Sequence, residues 1–230
     1  MKKIPKGFVI VINGSTGVGK TTIAWELAQK YQIVSIVGTD LIREVVRYDV
    51  ERHNSEAGKI VMESSYSAHR AFEKLTGQIA QDRLIGAFER QCEYLLGPII
   101  KILFRVRIKR NPLILEGINI TATQLFGEIP NDPHNRLFFV NLYLESEDAH
   151  LKRIKQRAEQ VGEMAAKTRR YIENFQSIRK IDRYLRNDTL KAIVDFGCTP
   201  ENILSIENSK SLSKAISIIS RILDKKIEAL

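Results

Sequence analysis

Between the apolar run Phe8-Val9-Ile10-Val11-Ile12 and a helical pattern that begins at Lys20 lies the loop Gly14-Ser15-Thr16-Gly17-Val18-Gly19-Lys20-Thr21, and few folds accommodate that order. A short, continuous, β-branched run reads as a strand buried on both faces of a parallel sheet. Glycines at intervals let the backbone curl, so that successive N–H groups point at an anion. The helix that follows adds the partial positive charge of its N-terminus at the same place. The spacing Gly-x-x-x-x-Gly-Lys-Thr is the Walker A pattern. Gly14, Ser15, Thr16, Gly17, Val18, Gly19, Lys20, Thr21 and Thr22 are therefore expected to hold the phosphates of a nucleoside triphosphate with its Mg²⁺. Lys20 should reach the β- and γ-phosphates, and the Thr21 hydroxyl should ligate Mg²⁺.

The rest of the chain alternates strand and helix. Further strands are expected at 33–37, 113–116, 137–143 and 203–206, and helices at 20–31, from Asp40 through Val46, and at 212–227. A polar stretch at 49–59 reads as a loop. The region 66–109 reads as helical, with breaks near Thr76-Gly77 and Gly97-Pro98. Thr121-Ala122-Thr123-Gln124 resembles a capping box that starts a short helix, and Asn131-Asp132-Pro133 reads as a turn. Five apolar strands separated by helices predict an α/β phosphate-loop (P-loop) NTPase: a five-stranded parallel sheet with helices on both faces and a helical lid. Residues 1–230 are expected to form a single such domain, with helical substrate or lid segments at about 49–110 and 147–195.

Ligands of parallel sheets bind beyond the carboxyl ends of the strands. Asp40 follows the second expected strand, and Glu116 ends the third. Glu116 is assigned the Mg²⁺-holding role of a Walker B acid, and Asp40 the acceptance of a proton from an attacking hydroxyl. The plainer reading of Asp40 is a helix N-cap, and that of Glu116 a carboxylate in water. Arg43 lies one helical turn from Asp40 and is the expected grip for an anionic substrate. Arg47 reads as a solvated base. Arg153 and Arg157 share a helix face and are expected to close over the transferring phosphate, although any single arginine of that basic stretch could equally be a solvated surface group.

A formal net charge of +9 fits a polyanionic partner, whether nucleic acid, membrane surface or small substrate. The run Lys101, Arg105, Arg107, Lys109, Arg110 reads as a solvated helix face. The two cysteines, Cys92 and Cys198, have no metal-ligand spacing and are expected to be reduced. No apolar stretch is long enough to span a bilayer, so a cytoplasmic location without membrane contact is expected.

Several segments resemble the archaeal-type 2-phosphoglycerate kinases. They are Ile12-Asn13-Gly14 through Leu27; Ile36-Val37-Gly38-Thr39-Asp40-Leu41-Ile42-Arg43-Glu44-Val45-Val46-Arg47; Ser64-Ser65-Tyr66-Ser67-Ala68; Leu113-Ile114-Leu115-Glu116-Gly117-Ile118-Asn119; and Tyr171-Ile172-Glu173-Asn174-Phe175-Gln176-Ser177-Ile178-Arg179-Lys180-Ile181 through Leu185. The resemblance implies ATP and Mg²⁺ as co-substrates and transfer of phosphate to the 3-hydroxyl of 2-phosphoglycerate. It further implies substrate contacts from Tyr66, Asn119 and Arg179. One position departs from the family pattern, because Asn119 stands where the family has a histidine, and asparagine does not titrate. Two other readings stay open at this point. One is a nucleoside or polynucleotide kinase-like enzyme, although no nucleic-acid module is recognised. The other is an ATP-binding regulator without catalysis. The sequence leaves the oligomeric state open.

Overall fold

The apolar strand runs divide their side chains between two faces of one sheet, as the two-residue period of a strand requires. The computed structural model describes residues 4–71, 83–129, 136–161, 165–209 and 211–230; the side chains at 57, 157–161 and 165–167 are outside that description. The strands are β1 (Val9–Gly14), β2 (Ser35–Gly38), β3 (Leu113–Gly117), β4 (Leu137–Tyr143) and β5 (Ile203–Glu207). All pairings are parallel, in the order β2-β3-β1-β4-β5. Ile10, Ile12, Ile114, Phe138 and Val140 join a core with α1 (Lys20–Tyr31) and the C-terminal helix Leu212–Glu228. Val9, Val11, Leu113, Leu115 and Phe139 face the other way, into a core with the helices of the middle of the chain. The result is the expected phosphate-loop fold: a five-stranded parallel sheet covered on both faces.

Numbered in chain order, the remaining helices are α2 (Thr39–His53), α3 (Leu84–Lys109), α4 (Ala122–Glu128), α5 (Glu147–Val161), α6 (Ala165–Glu173), α7 (Phe175–Asp195) and α8 (Leu212–Glu228). Short 3₁₀ turns cover Ala57–Met62 and Ser65–Ser67.

Four local expectations need correction. The second strand begins at Ser35 rather than Ile33, because Ile33 N closes the end of α1 by donating to Ala28 O at 2.9 Å. The polar stretch after Asp49 stays helical to His53, anchored by buried Val50 and ended by Asn54 in the left-handed conformation. Helix α3 runs unbroken through Gly97-Pro98. Pro98 removes one helix hydrogen bond, but Leu95, Ile99 and Leu103 hold the helix in the same core as Val9, Val11 and Leu115. Finally, Thr121 makes no side-chain cap to α4. Asp188 of α7 does so instead, accepting from Ala122 N at 2.6 Å and Thr123 N at 3.4 Å. The expected break at Thr76-Gly77 and the turn at 131–133 lie outside the described residues.

The two helical segments also divide. Of the stretch 147–195, α5 packs Ile154 against Phe175 and Ile178 at the start of α7, whereas the rest of α7 packs on the sheet and buries Ile181, Leu185 and Ala192. Of the stretch 49–110, α3 is a sheet-covering helix.

Candidate active site

The loop after β1 folds as its glycines demand. A Cβ at Gly14 would lie 2.3 Å from Leu142 O, and Gly19, in the left-handed region at φ 97°, forms the N-cap of α1. The Lys20 ammonium rests on Ser15 O at 2.7 Å. Thr21 Oγ1 donates to Glu116 Oε1 at 3.1 Å. These two oxygens, one from the loop and one from the end of β3, are the hard donors that Mg²⁺ prefers, so the residues fit the ion that ATP carries. Among the described residues no cluster of three or more His, Cys, Asp or Glu side chains could hold a further metal.

Strand order sets how the two acids stand relative to the loop. β2 and β1 are not neighbours; β3 lies between them. Glu116 therefore stands between the phosphate loop and the start of α2, opposite Gly38 in the ladder. Asp40 sits in the first turn of α2, with Gly38 as the N-cap, so it is not the cap itself. Its side chain is 71% exposed and pairs with Arg43 at 3.1 Å.

Beside the loop is a cleft of about 420 Å³, lined by Thr16, Asp40, Arg43, Glu44, Ser64, Ser65, Tyr66, Ile118, Arg170 and Tyr171, among others. Tyr66 packs edge-on against Tyr171, with ring centroids 5.8 Å apart. The guanidinium of Arg43 is held from below: Nη1 donates to Ser65 Oγ at 3.2 Å and Asn119 Oδ1 at 3.4 Å. Burial disfavours the charge of Arg43, and Asp40 partly restores it. Asn119 is fully buried, so it lies under the cleft and not in it. Its Nδ2 donates to Gln91 Oε1 at 2.7 Å and to Ser65 Oγ at 3.0 Å. Gln91 in turn donates to Ile60 O and Glu63 O, tying α3 to the 3₁₀ segment.

The arginines scatter. Arg153 meets the back of the loop, donating to Val18 O at 3.4 Å and to Asn208 O. Arg157 lies in α5, but its side chain is outside the described residues. Arg179, expected at substrate, is only 4% exposed, and its guanidinium binds Leu144 O, Glu145 O, His150 and Asp182 beneath the cleft. Arg47, read as a solvated base, instead donates to Val61 O and Met62 O and fixes the 3₁₀ turn. The basic run at the end of α3 is exposed, and the backbone of Arg107 abuts Gly7, just before β1. That is the amino edge of the sheet, opposite the loop, so this charge contributes nothing local to the site.

The sequence reading gave no individual site role to Asp182, His150, Asn208, Gln91 or Tyr171. Asp182 accepts from Ser15 Oγ at 2.6 Å and from Leu144 N at 3.3 Å. It did carry a signal: an acid among Ile178, Ile181 and Leu185 on the apolar face of α7 is a buried acid, and buried acids need partners.

No protein-family profile matches the chain. It is similar to curated archaeal proteins named 2-phosphoglycerate kinase. From Methanococcus maripaludis strain C6, one is 34% identical over 217 residues, 92% of this chain and 64% of the relative. From Methanocaldococcus jannaschii, another is 30% identical over 221 residues, 96% and 65%. From Methanothermobacter thermautotrophicus, a third is 28% identical over 217 residues, 94% and 68%. The chain thus spans slightly under two thirds of the first two relatives. Among solved structures, a shikimate kinase from Acinetobacter baumannii aligns over 95% of this chain and 94% of its own, at 15% identity and a TM-score of 0.47. The loop and the parallel sheet around it give the chain a phosphate-loop fold, and over nearly its whole length its sequence is similar to archaeal proteins named 2-phosphoglycerate kinase.

Proposed function

We propose that the protein is an ATP-dependent phosphotransferase acting on a small anionic metabolite, with 2-phosphoglycerate, phosphorylated at its 3-hydroxyl, as the leading candidate. The observation that carries this reading is the meeting of two half-sites at one sheet edge. The phosphate loop with its Thr21–Glu116 pair forms one, and a cleft with Asp40 and a buried-stem Arg43 forms the other, with Thr16 common to both. The names of the relatives support the acceptor.

In this reading the loop N–H groups and Lys20 hold the β- and γ-phosphates of ATP, and Thr21 and Glu116 hold Mg²⁺. When bound there, the ion would offset charge on the phosphate oxygens. Arg43 grips an acidic group of the acceptor, and its orientation comes from Ser65, Asn119 and Gln91. Tyr66 borders the cleft. Asp40 accepts the proton of the hydroxyl that attacks the γ-phosphorus, and ADP departs. Arg153 steadies the loop from behind, and the role of Arg157 is proposed as closure over the transferring group. Arg179 positions the end of β4 and does not touch substrate.

The position of the basic run, on the opposite edge of the sheet, gives no support to a nucleic-acid acceptor at this site. The deciding experiment is ADP release from ATP·Mg²⁺ against a panel of phosphorylated and carboxylated metabolites, with RNA and DNA 5′-ends included. Turnover with 2-phosphoglycerate above the rest is expected. Turnover confined to nucleic-acid ends, or absent with every acceptor, overturns the reading.

A further inference from the structure

The carbonyl groups of the phosphate loop are held from behind by side chains distant in sequence. His150, in the first turn of α5, is fully buried, and its Nε2 lies 2.6 Å from Thr16 O. Its Nδ1 lies 3.2 Å from Nη1 of Arg179. A guanidinium only donates and a carbonyl only accepts. Both contacts are therefore hydrogen bonds only for the neutral imidazole with its proton on Nε2. Burial pulls the imidazole below its usual value in the same direction. At the other end of the loop, Asn208, just after β5, donates from Nδ2 to Val18 O at 2.8 Å.

A trans peptide directs its C=O and N–H to opposite sides. Holding Thr16 O against His150 aims the N–H of Gly17 away from α5. Holding Val18 O against Asn208 does the same for the N–H of Gly19. Both N–H groups belong to glycines, the residues whose backbone has the most alternatives to adopt. An anion cradle needs those groups converged before the anion arrives.

We infer that His150 and Asn208 are positioning residues: each fixes one peptide of the phosphate loop in its anion-binding orientation and contributes to nucleotide affinity without touching the nucleotide. The inference rests on the proposed reading of the loop as an ATP site. The two side chains hold different carbonyls, and Arg153, which also donates to Val18 O at 3.4 Å, stays in place in every variant, so the two effects should combine close to additively.

The test is calorimetric titration of ATP·Mg²⁺ into the parent, His150→Ala, His150→Gln, Asn208→Ala and the double alanine variant, with a thermal melt of each. Glutamine keeps an N–H donor at about the reach of Nε2. Each alanine variant should bind about 10-fold more weakly, on the scale of one well-placed hydrogen bond. The double variant should show the product of the two effects, and His150→Gln should stay within about threefold of the parent. A binding loss in His150→Gln as large as in His150→Ala, with a parent-like melt, overturns the role of the Nε2–H donor. Parent-like binding by Asn208→Ala overturns the proposal at the other end, even where His150→Ala is too unstable to measure. Failure of the parent itself to bind ATP·Mg²⁺ is a different result, and it removes the ATP-site reading together with this inference.

Discussion

The phosphate loop is enclosed by buried groups that hold two of its carbonyls and the Ser15 hydroxyl, whereas the cleft beside it opens to water at Asp40. Ser15 is bound to Asp182, Thr16 to His150 and Val18 to Asn208, and those three partners are all buried. In the cleft, Asp40 is largely exposed, and Arg43 has a fixed stem but an open mouth before it. The difference matches what the proposed reading asks of each half. A nucleotide phosphate is bound by many weak N–H dipoles, which are useful only when all are pre-aligned. In the same reading an acceptor is chosen by one or two charged groups, of which Asp40 stands in solvent and Arg43 is held at the cleft wall by Ser65 and Asn119.

The largest expected effect lies on the enclosed side. Lys20→Ala removes a full charge from the transferring phosphate, and turnover should fall by at least about 10²-fold, with a melting temperature near that of the parent. Near-normal turnover in a coupled ADP assay would remove the loop from catalysis. On the open side, Asp40→Asn keeps shape and hydrogen bonding but removes the base. Turnover should drop by about 10²-fold while calorimetric ATP·Mg²⁺ affinity stays within a few-fold. Collapse of binding along with turnover would instead assign Asp40 to the ion or to the fold, and the two regions would no longer be separable.

Arg43→Ala should divide the regions more finely. The acceptor KM should rise by about 10-fold or more, the scale of a lost charged hydrogen bond, while the ATP KM changes little. Equal change in both constants would make Arg43 part of the scaffold.

The smallest effect concerns pH and again falls on the loop side. Burial holds His150 below its ordinary value, the Thr16 bond and Asp182 oppose that shift, and Arg179 and Lys20 reinforce it. The unfolded chain binds a proton near pH 6.5, while the folded chain resists until lower pH. Between those two values the unfolded state holds more protons, so stability falls as pH falls through that window and levels off below it. Urea melts from pH 7.5 to 5.5 should show the parent losing stability relative to His150→Gln. A constant difference across that range would mean that His150 is not held neutral.

Much of the loop was legible because its chemistry is local. Gly14, Gly19, Lys20 and Thr21 stand at fixed spacing, and backbone rules convert that spacing into a cradle. Glu116 was legible for a related reason: an acid at the end of a buried parallel strand can only emerge at the ligand edge. Arg179 and Arg47 were not legible. A basic residue on a helix reads as solvated or as substrate-binding, and only packing tells whether carbonyl groups such as Leu144 O or Val61 O are waiting for it. The cap of α4 was misread for the same reason, since Thr121 has the right chemistry but Asp188 arrives from α7 with more charge.

By itself, then, the sequence determined the strand–loop–helix unit, the sheet around it and the acids at the strand ends, because each follows from periodicity and backbone geometry over a few residues. The tertiary structure alone decided that β3 stands between β1 and β2, bringing Glu116 between loop and cleft. It alone decided that Ser15 meets Asp182 across 167 positions, Thr16 meets His150 across 134 and Val18 meets Asn208 across 190. Contacts of that length leave no local pattern, because a hydrogen bond depends on where two atoms lie in space, and only the completed packing of α5, α7 and β5 against the loop brings these atoms within reach.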